Sequence, residues 1–440
     1  MAGRVDQRFF CGPGSVIGGE ISVPGDKSIS HRALMLGGIA EGVTEVRGFL
    51  EGEDCLATLR VLRNLGVNIG RFGGNRLTIH GVGMEGFQAP AADLDMGNAG
   101  TAMRLFMGLL ASQSFDSTLV GDAYLMKRPM ERVAVPLRLM NAQIETNNGL
   151  PPVVIRGGRE LRAIDYVLPV ASAQVKSAIL LAALRADGRT HVLEPAPTRD
   201  HTERMLGAFG VELLRTEKGV AVQGGQTLRG ASIDVPGDFS SAAFFLVMGA
   251  LGAPKGLTIR GVGINPTRTG LMDLLTMMGA DIRVRSRKLV DGPGEPTADI
   301  EVHASKLKGI TVPEALVPLS IDEFPVFFIA AACAQGETLV RGAHELRVKE
   351  SDRLAVMSQG LGTLGVEHEL LPDGIWIRGG QGFSGGVIES HGDHRIAMAF
   401  AVASTMASGP IEIRDVANVA TSFPRFADTA RAAGLQIEAA

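Results

Sequence analysis

Strongly apolar stretches of similar length recur along this 440-residue chain, and each begins at polar residues. Each is followed by a short strand-like run and then by a stretch with charges on one face. A segment that is apolar on nearly every side is typical of a helix buried all round, whereas a one-sided pattern indicates a helix near the surface. The apolar stretches are SISHRALMLGGIAEG (28–42), NAGTAMRLFMGLLAS (98–112), SAQVKSAILLAALRADG (172–188), DFSSAAFFLVMGALG (238–252), DEFPVFFIAAACAQG (322–336) and DHRIAMAFAVASTMASG (393–409).

The two helix types and the strands between them form a unit that recurs six times. The unit has the order βαβαββ and is about 70 residues long, near the length of a small supersecondary package. We therefore predict an α/β (α+β) fold of two domains, with six βαβαββ repeats, three per domain around buried helices. The sixth repeat ends at Ala440 before its last strand, so we expect the segment Arg8–Val16 to complete that sheet.

A domain boundary can be predicted from the repeats. Repeats one to three occupy 20–230, and repeats four to six occupy 231–440, which we expect to be joined by residues 1–19. The sequence Val-Pro-Gly-Asp opens both halves, at 23–26 and 235–238. Proline stiffens the chain and glycine frees it, so two such crossings predict a hinge and a cleft that closes on a ligand.

The composition narrows the function classes. The net charge is −4, with one Trp and two Tyr, which argues against a nucleic-acid-binding surface. The longest apolar runs, such as 242–253, are too short to span a bilayer. Cys11, Cys55 and Cys333 are scattered, without the spacing of a metal site or a disulfide framework. We expect a cytoplasmic monomer with no signal peptide, no metal, no cofactor, and neither membrane nor nucleic-acid partners.

Polar residues at the helix starts carry the first chemical signal. Asp238, Ser240 and Asp393 have the residue types preferred as helix caps, and capping is the favoured explanation for them. Capping does not explain Lys27, Arg32 or Arg395, because a cation opposes the helix dipole at this end. Helix starts are anion sites, and anionic ligands explain these cations.

The turns before the second helices carry further cations. Arg128, Arg199, Lys349 and Arg353 lie in such turns. A charged turn is usually a solvated loop, but this one recurs on several repeats beside cationic helix starts. Arginine is suited to bidentate contacts with phosphate or carboxylate. The pattern predicts substrates with several anionic groups.

Candidates for acid–base chemistry are fewer. Asp322 and Glu350 lie among these cations and remain ionised at neutral pH, so either is a candidate base. The alternative for Glu350 is a helix-surface ion pair with Arg353. Three histidines lie beside the motifs and are more often structural than catalytic. These are His31, His201 and His394.

Seven motifs follow one another along the chain, in the order PGDKSISHR (24–32), GNAGTAMR (97–104), KRPMERV (127–133), SAQVKSA (172–178), IDEFP (321–325), LRVKESDR (346–353) and DHRIAMA (393–399). Together they resemble those of the 5-enolpyruvylshikimate-3-phosphate synthase family, in the branch called class II. The resemblance covers essentially the whole chain and implies the two-domain enolpyruvyl transferase fold. It also implies transfer of the enolpyruvyl group of phosphoenolpyruvate to the 5-hydroxyl of shikimate 3-phosphate, a step of aromatic amino-acid biosynthesis inhibited by glyphosate.

The resemblance also implies residue roles. Lys27, Asp322 and Glu350 are the expected catalytic residues, with Asp322 accepting the 5-hydroxyl proton. The residues expected to bind shikimate 3-phosphate are Lys27, Ser28, Arg32, Ser172, Ala173, Gln174, Arg199, Asp322 and Lys349. Those expected to bind phosphoenolpyruvate are Lys27, Asn98, Gly100, Arg128, Gln174, Glu350, Arg353 and Arg395.

Two other functions remain open at this point. UDP-N-acetylglucosamine enolpyruvyl transferase shares the repeat fold, but that family usually has Lys-Asn after its first strand and a loop cysteine. This chain has Lys27-Ser28, and Cys55 and Cys333 are predicted on helices. A non-catalytic repeat scaffold that binds phosphorylated ligands would explain the cations but not Asp322 and Glu350 among them.

Overall fold

The computed structural model describes residues 7–289 and 294–440. Its helices and strands alternate in the order that the repeats predict. The helices are α1 (Lys27–Ile39), α2 (Glu53–Asn64), α3 (Gly100–Leu110), α4 (Glu131–Leu139), α5 (Ala173–Ala183), α6 (His201–Ala208), α7 (Phe239–Gly252), α8 (Gly270–Met277), α9 (Val317–Ser320), α10 (Phe324–Cys333), α11 (Arg353–Thr363), α12 (His394–Ala403) and α13 (Phe426–Ala432). The strands are β1 (Arg8–Cys11), β2 (Gly19–Ser22), β3 (Glu41–Arg47), β4 (Asn68–Phe72), β5 (Arg76–Val82), β6 (Leu94–Asp95), β7 (Ser117–Val120), β8 (Gln143–Asn147), β9 (Leu150–Arg156), β10 (Asp165–Val167), β11 (Arg189–Leu193), β12 (Leu213–Thr216), β13 (Gly219–Gln223), β14 (Ser232–Asp234), β15 (Leu257–Gly263), β16 (Asp281–Lys288), β17 (Thr297–His303), β18 (Glu337–Val340), β19 (His368–Leu371), β20 (Gly374–Arg378), β21 (Gly386–Glu389), β22 (Ile411–Arg414) and β23 (Ile437–Ala439).

The described residues form two compact units, each with its own cluster of buried apolar side chains. The first unit consists of Gly25–Val235 with residues 294–295. The second consists of residues 7–24, Pro236–Leu289 and Pro296–Ala440. Residues 1–6, which the sequence assigned to the second half, lie outside the described part of the chain.

The first unit contains three helices that are buried along nearly their whole length, α1, α3 and α5, as their all-round apolar sequences predict. Three four-stranded sheets belong to this unit, in the orders β14-β3-β5-β4, β6-β7-β9-β8 and β10-β11-β13-β12. A Cβ on Gly108 of α3 would lie 2.2 Å from the carbonyl oxygen of Ala178 on α5. Glycine at this position therefore lets the two helices pack closely.

The second unit repeats this architecture around α7, α10 and α12, which are buried as well. Its sheets have the orders β16-β17-β15-β2, β18-β20-β19 and β21-β22-β1-β23. Phenylalanine rings fill part of the core. The ring centroids of Phe423 and Phe426 are 5.5 Å apart, and that of Phe245 lies 6.0 and 6.2 Å from them.

The N-terminal strand completes the sixth repeat, as the sequence predicts. Strand β1 lies between β22 and β23 and pairs antiparallel with both. In each complete repeat the corresponding central strand comes from the end of the same repeat, as β5 does between β3 and β4. The missing last strand of repeat six is thus supplied by the beginning of the chain.

The strands that precede the two crossings are exchanged between repeats. From the order of the repeats, the strand within residues 19–25 is expected in the sheet of repeat one, and the strand within residues 231–237 in the sheet of repeat four. In the structure β2 pairs parallel with β15 of repeat four, and β14 pairs parallel with β3 of repeat one. Each of these strands comes just before a crossing between the units. At that point the chain has not yet left the unit, so the strand pairs within a sheet of the unit that the chain is about to leave.

The chain passes between the units after Pro24 and after Val235. A Cβ on Gly25 would lie 1.8 Å from a backbone carbonyl oxygen, so only glycine fits at the first crossing. The hinge predicted near 23–26 and 235–238 involves the same two segments and stays a prediction. Within the described residues, every helix is too short or too polar to cross a membrane.

Candidate active site

Four of the buried helices, α1, α5, α7 and α12, begin at side chains that cap them. In the first unit, Asp26 Oδ1 accepts a hydrogen bond from the N–H of Ile29 at 2.9 Å. In the second unit, Asp238 and Asp393 cap α7 and α12 with bonds of 2.8 and 2.9 Å. The capping explanation is therefore confirmed for both aspartates. Ser240, which had been grouped with them, has a different role that is described below.

Arg32 of the first unit is buried, with only 4% of its surface exposed. Its guanidinium donates to Thr202 Oγ1 at 2.6 Å, to Ser177 Oγ at 2.8 Å and to the carbonyl of Ser28 at 3.0 Å. These partners are neutral and use three of the five N–H groups of the guanidinium. Burial lowers the pKa of Arg32 to about 10, which still leaves it charged at neutral pH. The arrangement is a fixed cation suited to an anionic ligand.

Lys27 is the first residue of α1, and its ammonium group is held by a carboxylate. Lys27 Nζ lies 3.0 Å from Asp54 Oδ2, and their side chains are 17% and 7% exposed. Asp54 is on α2, so the second helix of the repeat fixes a cation on the first. The ion pair with Asp54 orients the ammonium group of Lys27, and the lysine side chain remains partly exposed to solvent.

Gln174 connects two helix starts of the first unit. Its Oε1 accepts from Arg104 Nη1 at 2.7 Å, and its Nε2 donates to Thr101 Oγ1 at 2.9 Å. Arg104 also donates to the carbonyl of Pro129 at 3.0 Å. Both polar atoms of the Gln174 amide are thereby oriented, so its position relative to α3 is fixed.

Arg128 lies over the start of α3. A Cβ on Gly100 would be 2.6 Å from Arg128 Nη1, so the guanidinium is packed directly against the glycine. Nearby, Asn98 Nδ2 donates to Asp122 Oδ2 at 2.9 Å, and Asp122 Oδ1 accepts from two backbone N–H groups that follow it. Glycine at residue 100 leaves the space in which the planar cation lies.

The remaining predicted residues of the first unit lie close to the same helix starts. Ser28 is on α1, Ser172 and Ala173 are at the start of α5, and Arg199 is in the turn before α6; all are half-buried. Lys176 is another cation near the start of α5, but its charge is neutralised. Its Nζ lies 2.9 Å from Glu194 and 2.7 Å from Glu203, so it is a structural ion pair.

Arg353 is the centre of the predicted site in the second unit, and its side chain is 1% exposed. Its guanidinium lies 2.8 Å from Asp393, 2.6 Å from Glu350 and 3.3 Å from Asp322. Burial alone would lower the pKa of Arg353, but the three carboxylates raise it above its ordinary value. One arginine therefore holds three acidic side chains in place.

Asp322 has two further cationic neighbours, one at its carboxylate and one at its backbone carbonyl. Lys349 Nζ lies 3.4 Å from Asp322 Oδ1, and Arg395 donates to the backbone carbonyl of Asp322 at 2.9 Å. Arg395 is the second residue of α12, and its Nη1 is also 3.7 Å from Glu323 Oε1. The ion pair of Glu350 with Arg353, the sequence alternative, is present, and it belongs to this buried cluster rather than to a helix surface.

The predicted site residues thus form two sets, each assembled within its own unit. The first unit has Lys27, Ser28, Arg32, Asn98, Gly100, Arg128, Ser172, Ala173, Gln174 and Arg199. The second unit has Asp322, Lys349, Glu350, Arg353 and Arg395. Across residues 7–289 and 294–440, no group of three or more His, Cys, Asp or Glu side chains is arranged to hold a metal ion.

Comparison with known proteins decides the family. The family model described as EPSP synthase (3-phosphoshikimate 1-carboxyvinyltransferase) matches residues 12–430. The chain belongs to the EPSP synthase family. The 3-phosphoshikimate 1-carboxyvinyltransferase of Alkalilimnicola ehrlichii is 58% identical over 98% of this chain and 96% of that protein. The protein of the same name from Methylococcus capsulatus is 57% identical over 98% and 99%.

Solved structures agree with this assignment. A crystal structure of EPSP synthase from Acinetobacter baumannii matches with a TM-score of 0.88 and 54% sequence identity, over 99% of this chain and 100% of that chain. The predicted fold class and the family resemblance are confirmed. The alternatives of a UDP-N-acetylglucosamine enolpyruvyl transferase and of a non-catalytic scaffold are not favoured by these matches.

The three histidines have structural surroundings in this EPSP synthase family member. His31 is fully buried, with Nδ1 2.8 Å from Thr58 Oγ1, and burial lowers its pKa to about 3. His201 is buried against Glu295 at 2.7 Å. His394 is buried as the first residue of α12. His31 is therefore neutral at physiological pH.

Sequence reasoning missed two residues, one that touches the predicted site and one that is linked to it through other side chains. Asp54 orients Lys27. In the sequence, Asp54 could be recognised only as a carboxylate at the start of an amphipathic helix. Arg268 lies in the turn before α8, the position that carries Arg128 and Arg199 in other repeats. A complete alignment of the six repeats would have shown it, because 266–268 and 197–199 both read Pro-Thr-Arg.

Proposed function

We propose that this protein transfers the enolpyruvyl group of phosphoenolpyruvate to the 5-hydroxyl of shikimate 3-phosphate, with release of phosphate. The observation that supports the proposal best is that the two units of this EPSP synthase family member carry different kinds of charged side chains. The first unit presents fixed cations at helix starts, and the second unit holds Asp322 and Glu350 around Arg353. Both substrates carry a phosphate and a carboxylate, which match the cations.

Binding of shikimate 3-phosphate is assigned mainly to the first unit. Arg32 has two N–H groups beyond the three that bind protein oxygens, and its position is fixed by Thr202 and Ser177. Ser28, Ser172 and Arg199 lie at or near the same helix starts, where backbone N–H groups favour anions. In the proposal, Gln174 and Ala173 line this site, and Asp322 and Lys349 bind the substrate from the second unit.

Binding of phosphoenolpyruvate is assigned to arginines of both units. Arg128 is held over Gly100, with Asn98 beside the same helix start. Arg353 and Arg395 are assigned the same ligand in the second unit. Their guanidinium groups are buried and hydrogen-bonded to protein, so they are oriented before a ligand arrives.

The reaction is proposed to be addition followed by elimination. In the addition, the 5-hydroxyl oxygen bonds to C2 of phosphoenolpyruvate, its proton passes to Asp322, and C3 gains a proton from the ammonium group of Lys27. In the elimination, C3 returns a proton to the neutral amine of Lys27, directly or through the carboxylate of Glu350, and the bond from C2 to the phosphate oxygen breaks. The 5-hydroxyl proton leaves with phosphate, so atoms and charge balance. Fixed cations stabilise the charge of the tetrahedral intermediate.

A coupled assay tests the proposal. Phosphate release from phosphoenolpyruvate is measured with shikimate 3-phosphate, without it, and with UDP-N-acetylglucosamine in its place. We expect release only with shikimate 3-phosphate. An absence of release, or equal release with the UDP-sugar, would contradict the proposed function.

A further inference from the structure

A row of buried polar side chains lies in the second unit and includes a residue that has no role in the mechanism above. Arg268, Asp238, Ser240 and Glu323 are each at most 4% exposed, and Arg395 is 9% exposed. They come from the turn before α8 and from the starts of α7, α10 and α12. Charged side chains are costly to bury unless they are paired, so such a row requires an explanation.

The side chains are in contact from one end to the other. Arg268 Nη2 lies 3.3 Å from Asp238 Oδ1 and donates to Ser240 Oγ at 2.6 Å. Ser240 Oγ donates in turn to Glu323 Oε1. Glu323 Oε1 is 3.7 Å from Arg395 Nη1. The row holds two cations and two anions, so its formal charges balance.

The row connects a crossing of the chain to a predicted ligand arginine. The backbone N–H of Asp238 donates to the carbonyl of Pro24 at 2.8 Å, which joins the two crossing segments. At the other end, Arg395 Nη1 donates to the carbonyl of Asp322 at 2.9 Å. The position of Arg395 is thus set by a backbone carbonyl on one side and by the carboxylate of Glu323 on the other.

The repeat symmetry identifies what is unusual about Arg268. In repeats two and three the corresponding turns carry Arg128 and Arg199, which are assigned to substrates. In repeat four the arginine is directed into its own unit, towards Asp238 and Ser240. The same position of the repeat has therefore taken a supporting role.

We propose that Arg268 is a positioning residue for Arg395, acting through Ser240 and Glu323. The proposal rests on the assignment of phosphoenolpyruvate to Arg395. Arg268 keeps Ser240 oriented as a donor to Glu323 and compensates part of the negative charge of Asp238 and Glu323. Without Arg268, Glu323 loses this compensation, and Arg395, whose Nη1 is 3.7 Å from Glu323 Oε1, is drawn into a closer ion pair with it. Arg395 then binds an anionic substrate less well.

The primary test is the variant Arg268→Met, which keeps the length of the side chain and removes its charge. We expect KM for phosphoenolpyruvate to rise roughly ten- to hundredfold, the loss typical of a charge-assisted hydrogen bond, with kcat and KM for shikimate 3-phosphate changed much less. Arg260→Met is the matched control, because Arg260 is 45% exposed and pairs with surface carboxylates of the same unit. The control is expected to have the wild-type KM.

A double variant separates positioning from a general loss of packing. In Arg268→Met with Glu323→Gln, Arg395 no longer has a carboxylate to approach, so we expect KM for phosphoenolpyruvate to return towards the wild-type value. A merely structural role of Arg268 would make the second change neutral or harmful. If Arg268→Met does not fold, Arg268→Gln is measured in the same cycle.

The results that would contradict the role of Arg268 differ from those that would contradict the proposed function. If the wild-type protein has no turnover with both substrates, the proposed function fails and the assignment of Arg268 falls with it. If the wild type turns over and Arg268→Met keeps the wild-type KM for phosphoenolpyruvate, only the positioning role is overturned. A raised KM without recovery in the double variant also overturns it.

Discussion

Arg32 of the first unit and Arg353 of the second are both buried arginines at predicted substrate sites, but their partners differ. Arg32 donates to two hydroxyls and a carbonyl, whereas Arg353 lies against the carboxylates of Asp322, Glu350 and Asp393. A cation with neutral partners keeps its charge for a ligand. A cation among carboxylates holds those carboxylates in fixed positions. The same repeat has thus surrounded a buried arginine with neutral groups in one unit and with acidic groups in the other.

The variant with the largest expected effect is Asp322→Asn, which tests the difference between the two units. If the second unit supplies the base, kcat should fall about 10²- to 10⁴-fold, the usual contribution of a general base, while the fold is retained. Phosphate release measures turnover, and thermal unfolding checks the fold. Asp273→Asn on α8 of the same unit is the control and should be fully active. Near-normal turnover of Asp322→Asn would remove the acid–base role from this unit. We expect Lys27→Met also to lower turnover strongly.

Stability should separate the two arginines. Arg353→Met leaves two buried carboxylates, Asp322 and Asp393, and the half-buried Glu350 without their shared cation, and we expect a loss of about 3–5 kcal/mol in the free energy of unfolding. Arg32→Met removes hydrogen bonds to neutral groups, so about 1–3 kcal/mol is expected. Urea unfolding of both variants measures the difference. Equal losses would mean that the partners of the two arginines do not determine their stabilising roles.

Below about pH 6.5, His31 of the first unit should make the free energy of unfolding depend on pH. Its folded pKa of about 3 lies below the unfolded value of 6.5, so the unfolded state binds a proton first as the pH falls. The stability present above pH 6.5 is therefore lost progressively down to about pH 3, by about 2 kcal/mol at pH 5. Urea unfolding from pH 8 to 5 measures it. The His31→Gln variant should lose less stability over this interval, and an unchanged slope would contradict the prediction.

The smallest expected effect concerns Gly100 in the first unit. A Cβ in Gly100→Ala would meet Arg128 Nη1 at 2.6 Å, so the guanidinium has to move. We expect KM for phosphoenolpyruvate to rise roughly tenfold, since overpacking of this kind costs on the order of 1–3 kcal/mol. KM for shikimate 3-phosphate should stay the same. Gly73→Ala, where a Cβ has open space, is the control. An unchanged KM in Gly100→Ala would separate Arg128 from this substrate.

Much of the fold could be predicted because the repeats impose it. The all-round apolar helices had to be buried, and the truncated sixth repeat required a strand from elsewhere, which β1 supplies. The exchange of β2 and β14 could not be predicted, because a strand that opens one repeat in sequence can pair with another in space. Sequence order does not determine such a pairing when the chain crosses between units.

The candidate site could be predicted in its residue types but not in its internal pairing. Cations at helix starts indicated anionic ligands, and Lys27 and Arg32 lie there. The sequence did not show that Lys176 is neutralised by Glu194 and Glu203, since those carboxylates come from other elements. Arg268 was overlooked for the same reason, because Asp238 and Ser240 are 28 residues or more away in sequence.

The position of β1 between β22 and β23 has a consequence for the order in which the protein folds during synthesis. Almost all of the first unit is continuous in sequence, so it can fold while the ribosome is still making the second. Strand β1 is made before the first unit and pairs only with strands made about 400 residues later. The last sheet of the second unit therefore closes only after β22 and β23 have been made. Until then, β1 has no partner strand, and exposed strand edges of this kind promote aggregation.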